Sequence, residues 1–225
     1  MAGDTKESIL DAAEALFGAQ GFSGTSLRNI TAAAGVNIAS VNYHFGSKEA
    51  LIEAVFARRL LPMNEARLQR LGHLEQAYGT GAIPLRDLVG AFIAPAMELS
   101  RDTEGGGQQF VRLLGRSYTE PSEWLHERVR AMYGDAIERF KPAFARSLPH
   151  LPTDELYWRM HFMIGVLAYC MAGTDMMRLI ASCRLSDASD TGALTQRLIT
   201  FLEAGLNAPV APAPEAMTLK AGEAG

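Results

Sequence analysis

Three glycines and three capping residues divide the first fifty positions into short helical pieces. Gly21, Gly35 and Gly46 each follow an apolar-periodic run, and Thr25, Asn37 and Ser47 each open the next one. Glycine readily takes the left-handed conformation that ends a helix, while a Ser, Thr or Asn side chain accepts a free amide at a helix start. A first helix is predicted from Asp4, which pairs with Glu7 as a capping box and places Ile9, Ala13, Leu16 and Phe17 on one face. The helix opened by Thr25 turns Leu27, Ile30 and Ala34 inward. Asn37 opens a second short helix, Ile38 to about His44, and Ser47 opens a longer one through Leu51, Ile52, Val55, Phe56 and Leu60. Two helices of about two turns joined by a tight glycine-containing turn make a helix-turn-helix.

Beyond Leu71 the helices become longer and more apolar, and no run alternates with period 2, so the whole chain is expected to be all-α. Helices are expected near 85–101, 108–118, 121–146, 153–182 and 190–206. Loops fall at Gly79 to Pro84, Gly105 to Gly107, and Pro149 with Pro152. No internal repeat is visible. The division that follows is a helix-turn-helix domain over 1–50, a second helical domain over 51–207 entered by a connecting helix from Ser47 to Leu71, and a Pro/Ala/Gly-rich tail over 208–225 expected to be disordered.

Composition narrows the function classes. At 48% apolar and 20% charged residues the chain is ordinary globular material. The start, MAGDTKES, lacks a basic stretch followed by an apolar one, so a cytoplasmic location is expected. The longest apolar run, Phe162 to Ala172, falls well short of the roughly 20 residues that cross a bilayer, and no membrane partner is expected. Cys170 and Cys183 have neither disulfide-framework nor zinc spacing. Net charge is −4, and residues 1–71 balance seven basic residues against seven acidic ones. Any nucleic-acid site must therefore be local and geometrically specific.

Such a locality exists between residues 24 and 48, which contain Arg28 and Lys48 and no acid. At about 100° per residue, Val41 and Phe45 turn inward from the helix begun at Asn37, while Ile38, Ala39, Asn42 and in part Ser40 and Tyr43 turn outward. That outward face is small, amide-bearing and uncharged. It suits a major groove, where Asn pairs with adenine edges and Ala or Ile meets thymine methyls. Around it stand phosphate-directed groups, namely Thr25, Tyr43, His44, Lys48 and the helix N-termini opened by Thr25 and Ser47, whose free amides hold anions without formal charge. A blander account makes Asn37, Ser40 and Ser47 caps and Tyr43 and Phe45 core. It leaves the consecutive Tyr43 and His44 ahead of Gly46-Ser47-Lys48 unexplained.

The stretch ILDAAEALFGAQGFSGTSLRNITAAAGVNIASVNYHFGSKEALIEAVF resembles the DNA-binding domain of the TetR family of bacterial transcriptional regulators. The likeness rests on the Gly21, Phe22 and Thr25 exit of the first helix, the turn at Gly35 and Val36, Tyr43-His44-Phe45, and Lys48 with Leu51, and it covers nearly all of residues 8 to 56. The resemblance implies that Asn37, Ile38, Ala39, Ser40 and Asn42 face the groove. It also implies that Arg28 reaches a base edge or a phosphate, and that Thr25, Tyr43, His44 and Lys48 hold the backbone. It further implies a C-terminal helical domain for ligand binding and dimerisation, a double-stranded DNA operator as partner, and repression as the commonest mode.

Two features of the second half stand beside that implication. The segment LYWRMHFMIGVLAYCMAGTDMMRLI is apolar nearly all round, and Leu194, Leu198, Phe201 and Leu202 form another stripe, so the helices near 153–182 and 190–206 suit an isologous homodimer interface. Met160, Met163, Met171, Met176 and Met177 are concentrated in one region, as in an adaptable lining for a flexible apolar ligand, although methionines also serve as core filler. Arg112, Arg116, His126, Tyr133 and His161 are the candidate polar anchors. FVRLLGRSY, MYGDAIERF and the Trp158 to Gly165 segment look similar to the branch containing fatty-acid-responsive repressors, which implies a fatty acid or acyl thioester as the hydrophobic effector. No phosphate loop, nucleophile elbow or metal triad is present in the sequence, so neither enzymatic activity nor a cofactor or metal is expected. The rival from another class is a helical lipid-binding or carrier module without specific DNA binding.

Overall fold

The computed structural model describes residues 2–118, 122–171 and 191–210, and among them the regular structure is helical throughout. The elements are α1 (Ala2–Gly24), α2 (Leu27–Ala34), α3 (Ile38–Phe45), α4 (Lys48–Tyr78), α5 (Leu85–Leu99), α6 (Gly107–Ser117), α7 (Glu123–Ser147), α8 (Thr153–Met171) and α9 (Thr191–Leu206). The expected all-α class and its order of elements hold. Residues 172–182 of the expected long helix and 211–225 of the expected tail lie outside the described residues.

The punctuation read from the sequence is mostly where the helices break. Gly21 has φ 75° and kinks α1, Gly35 ends α2 at φ 66°, and Gly46 ends α3 at φ 79°. Asn37 and Ser47 cap as expected, accepting the amides of Ser40 at 3.0 Å and Ala50 at 3.1 Å. Two starts differ. α1 begins at Ala2, so Asp4 lies inside its first turn, where a carboxylate favours the helix dipole without capping. α2 is capped by Ser26, which accepts from the Asn29 amide at 3.2 Å, while Thr25 lies one residue outside.

α1 to α3 close over the first half of α4 around Ile9, Phe17, Ile30, Val41, Leu51 and Val55, all fully buried. α4 then continues without a break into the second domain. The ring sequence Phe17, Phe22, Phe56 and Phe110, with centroids 5.3, 5.9 and 5.8 Å apart, carries one core into the other. A charged clamp runs beside it. Glu14, buried on α1, receives Arg58 at 2.6 Å and Arg59 at 3.2 Å from α4, and Arg58 also reaches Asp11 at 2.7 Å. The two domains are therefore joined by both apolar and charged contacts.

α8 is apolar on two sides, as the sequence predicts. Leu156, Met160, Met163, Leu167 and Met171 point into the core, whereas Trp158, Phe162 and Tyr169 stand exposed. The stripe expected on α9 divides: Leu198 and Leu202 are buried within this chain and Phe201 faces out. The reason is that α9 packs on α5 and α8 of its own chain, which claims the first two side chains. Arg159 secures the end of α9, donating to the carbonyls of Leu206 at 2.9 Å and Ala208 at 2.5 Å.

Candidate nucleic-acid interface and effector cavity

α3 presents two unlike sides. Val41 has no exposed surface, and Val36 and Phe45 are half-buried against the same core. Asn37, Ile38, Ala39, Asn42 and Tyr43 are exposed, and Ser40 is half-buried. Tyr43 reaches 84% exposure, far beyond what an aromatic ring adopts when packing decides its place. His44 is half-buried beneath it, edge-on at 5.1 Å between centroids. Ser40 donates its hydroxyl to the Asn37 Oδ1 at 3.2 Å, so part of the polar edge is already organised along the helix.

The flanking groups divide. Arg28 is exposed on α2. Lys48 is half-buried, and its ammonium donates to the Phe22 carbonyl at 2.6 Å, tying the exit of α1 to the start of α4. Thr25 corrects the sequence reading most. It is 1% exposed, with its hydroxyl donating to the Gly21 carbonyl at 2.8 Å and the Leu16 carbonyl at 3.2 Å. That side chain closes the kink of α1 and presents no hydroxyl to the surface. Ser26 was missed as the cap of α2, although the Ser26-x-x-Asn29 spacing carries a signal.

A second feature lies within the C-terminal helices, a cavity of about 1000 Å³ walled by α4, α5, α6, α7 and α8 and reaching Gly18 of α1. Of the candidate residues, Arg112, Arg116, His126, Tyr133, His161 and Met171 line it. Met160 and Met163 do not. Each stands one turn N-terminal to the first lining residue of its own stripe, Met160 before Ile164 and Met163 before Leu167, and both fill the core at 4% and 1% exposure. Burial pushes the Tyr118 phenol well above the usual tyrosine range, with Tyr133, to which it is hydrogen-bonded, adding to the shift. The phenol thus remains neutral. Arg116 donates to the Gly18 carbonyl at 2.9 Å, and the His126 ring bonds the Ser117 carbonyl at 3.0 Å. One wall of the cavity is accordingly in direct contact with the first helix of the helix-turn-helix domain.

Arg67, like Tyr118 and Arg130, is a lining residue that sequence reasoning missed. It is fully buried, donating from Nε to the Phe92 carbonyl and from Nη1 to the Asn64 Oδ1, each at 2.7 Å. A signal existed, because Arg67 takes a place in the buried stripe Leu60, Met63, Arg67 and Leu71, where a surface arginine does not belong.

Among the described residues no helix is long and apolar enough to cross a membrane. Residues 9–55 match the family model for bacterial regulatory proteins of the tetR family, and residues 90–205 match that for the tetracyclin repressor-like C-terminal domain. Over 49 residues the chain is 47% identical to "Probable HTH-type transcriptional regulator YttP" of Bacillus subtilis, covering 22% of this chain and 24% of that one. Over 86 residues it is 34% identical to the HTH-type transcriptional regulator SrpR of Pseudomonas putida, covering 38% of this chain and 40% of that one. These alignments thus span less than half the length of either relative. Among solved structures it is similar to NalD of Pseudomonas aeruginosa, described as the secondary repressor of the MexAB-OprM multidrug efflux pump. The TM-score is 0.65 at 25% identity, over 91% of this chain and 98% of that one.

Proposed function

The chain belongs to the TetR family of bacterial regulators and carries that family's DNA-binding helix-turn-helix domain, and from this premise we propose that it is a dimeric repressor released from a pseudo-palindromic operator by a hydrophobic effector. The observation that carries the reading is the outward face of α3. It is uncharged, rich in amides and small side chains, and rimmed by an 84% exposed Tyr43. Asn37, Ile38, Ala39, Ser40 and Asn42 face base edges, and Arg28 reaches a base edge or a phosphate from α2. Tyr43, His44 and Lys48 hold the backbone. Thr25 contributes through the position of α2 and its free amides.

Two copies place their α3 helices in successive major grooves about one helical turn apart. The dimer uses α8 and α9. Trp158, Phe162, Gly165 and Tyr169 repeat at alternating steps of four and three along one exposed face of α8, with Phe201 exposed on α9. Such a stripe is costly in water and suited to a helical seam with its own copy. The cavity supplies the control point. An effector that binds the released conformation better than the operator-bound one shifts the population by its difference in affinity. The shift reaches α1 because Gly18 lines the cavity and accepts from Arg116. A fatty acid or an acyl thioester is the effector class the sequence likeness suggests, and NalD, a repressor, supports the sense of regulation. The place of action is the cytoplasm, and no catalytic step is required.

A salt-dependent gel shift on the intergenic DNA upstream of the gene tests this reading. Selective binding over random duplex at moderate salt is expected, with affinity falling steeply as salt rises. Equal affinity for both duplexes leaves the rival, a lipid-binding helical module, as the better reading.

A further inference from the structure

Among the described residues the cavity carries arginine charge that no carboxylate in its lining offsets. Arg67, Arg112, Arg116 and Arg130 line it beside His126 and His161, and among the described residues no Asp or Glu does, in a chain whose net charge is −4. Arg112, Arg116, Arg130 and His161 are exposed, so water solvates them at the rim. Arg67 has no exposed surface. Its guanidinium lies 4.5 Å from the Phe92 ring centroid and 5.2 Å from that of Tyr133, with Nε and Nη1 already committed to Phe92 and Asn64. Asn64 is itself fixed, donating to the Met132 carbonyl at 2.9 Å. Nη2 is buried with no hydrogen-bond partner, and among the described residues no carboxylate pairs with Arg67.

A buried guanidinium held on three sides by a carbonyl, an amide and two rings cannot swing out to water. Its remaining N–H groups keep their full desolvation penalty until an anion or another acceptor meets them. The same side chain is planar and forked, matched to a carboxylate rather than to a diffuse charge. The surrounding wall is apolar, with Val129, Ile137, Ile164, Leu167, Ala168 and Met171 along α7 and α8.

We propose that the cavity takes an amphipathic molecule with a single free carboxylate, and that Nη2 of Arg67 is the anchor for that carboxylate. This rests on the effector reading above and narrows it. The linked Tyr118 and Tyr133 hydroxyls lie in the same polar cluster, and the apolar body lies along α7 and α8. A cationic ligand meets four arginines there. A neutral one leaves Nη2 unanswered, and a coenzyme A thioester offers no free carboxylate to a buried arginine.

The test is calorimetric titration of the purified full-length protein with dodecanoate, methyl dodecanoate, 1-dodecanol and dodecanoyl-coenzyme A below their aggregation limits. Dodecanoate is expected to bind about tenfold or more tightly than the ester, the alcohol or the thioester. Arg67→Met removes that preference while retaining ester binding, and Arg112→Met and Arg130→Met leave it in place. Equal affinity for acid and ester overturns the anchor while leaving a hydrophobic effector site standing. Thioester binding tighter than the acid, lost in Arg112→Met and Arg130→Met, moves the head to the rim and also overturns it. Binding of none of the four overturns both the anchor and the effector reading. If Arg67→Met does not fold, the wild-type series alone still decides between acid and ester.

Discussion

Val41 and Asn42 are neighbours in sequence and face opposite ways, so truncating each to alanine separates the two sides of α3. Val41 has no exposed surface and is buried with Ile30, Leu51 and Phe17 in the core where α1, α2 and α3 meet α4. Val41→Ala removes two methyl groups, about 1.6 kcal/mol at ~0.8 kcal/mol each. The residual cavity raises the cost to about 2 kcal/mol, because the short helices around it are pinned at both ends by caps and cannot collapse freely. In a chain of this size that is a Tm loss of roughly 4–8 °C. Asn42 is exposed, and Asn42→Ala should change stability by less than about 0.5 kcal/mol. Its effect falls on DNA, where one lost bidentate contact relaxes discrimination by roughly 1–3 kcal/mol at a single position of each half-site. Denaturant unfolding and a titration series over single-base operator variants measure the two outcomes. A Val41→Ala cost no larger than that of Asn42→Ala, or an Asn42→Ala loss spread evenly over every operator variant, refutes the assignment of the two faces.

Glu14→Gln keeps the shape of the α1–α4 clamp but withdraws the carboxylate that Arg58 and Arg59 share, and should lower stability by about 2–4 kcal/mol in denaturant melts; a loss under half of that makes the clamp decorative. Lys48→Met removes both the tie to Phe22 and a phosphate-directed charge. It should lower Tm and flatten the salt dependence of DNA binding by about one counterion per protomer, and an unchanged slope assigns Lys48 to the tie alone. Trp158→Glu combined with Phe162→Glu puts charge on the exposed stripe of α8. Sedimentation should then show a folded monomer with operator affinity reduced at least about a hundredfold, whereas an intact dimer places the interface elsewhere.

Much of the fold was legible because its signals are local. Gly21, Gly35 and Gly46 need positive φ, and Asn37 and Ser47 cap whatever follows them, independent of tertiary context. The failures are tertiary. Thr25 looks like a cap in sequence and became a buried strut because the α1 kink leaves carbonyls that its hydroxyl satisfies, passing the cap to Ser26. Met160 and Met163 share composition with the cavity lining but not its position along α8. Leu198 and Leu202 belong to an apolar stripe that serves this chain's own core, since periodicity marks a buried side without saying which copy buries it. Arg67 was hidden by its charge: an arginine on a long helix ordinarily faces solvent, and only the stripe it interrupts says otherwise.

The central claim is that α3 reads DNA bases from a symmetric pair of sites. Hydroxyl-radical footprinting of the upstream intergenic DNA tests it most directly. The account predicts two protected tracts on one face of the duplex, centred about one helical turn or a multiple of it apart and related by pseudo-two-fold sequence. Uniform weak protection along the fragment, with no paired tracts at any protein concentration, contradicts it.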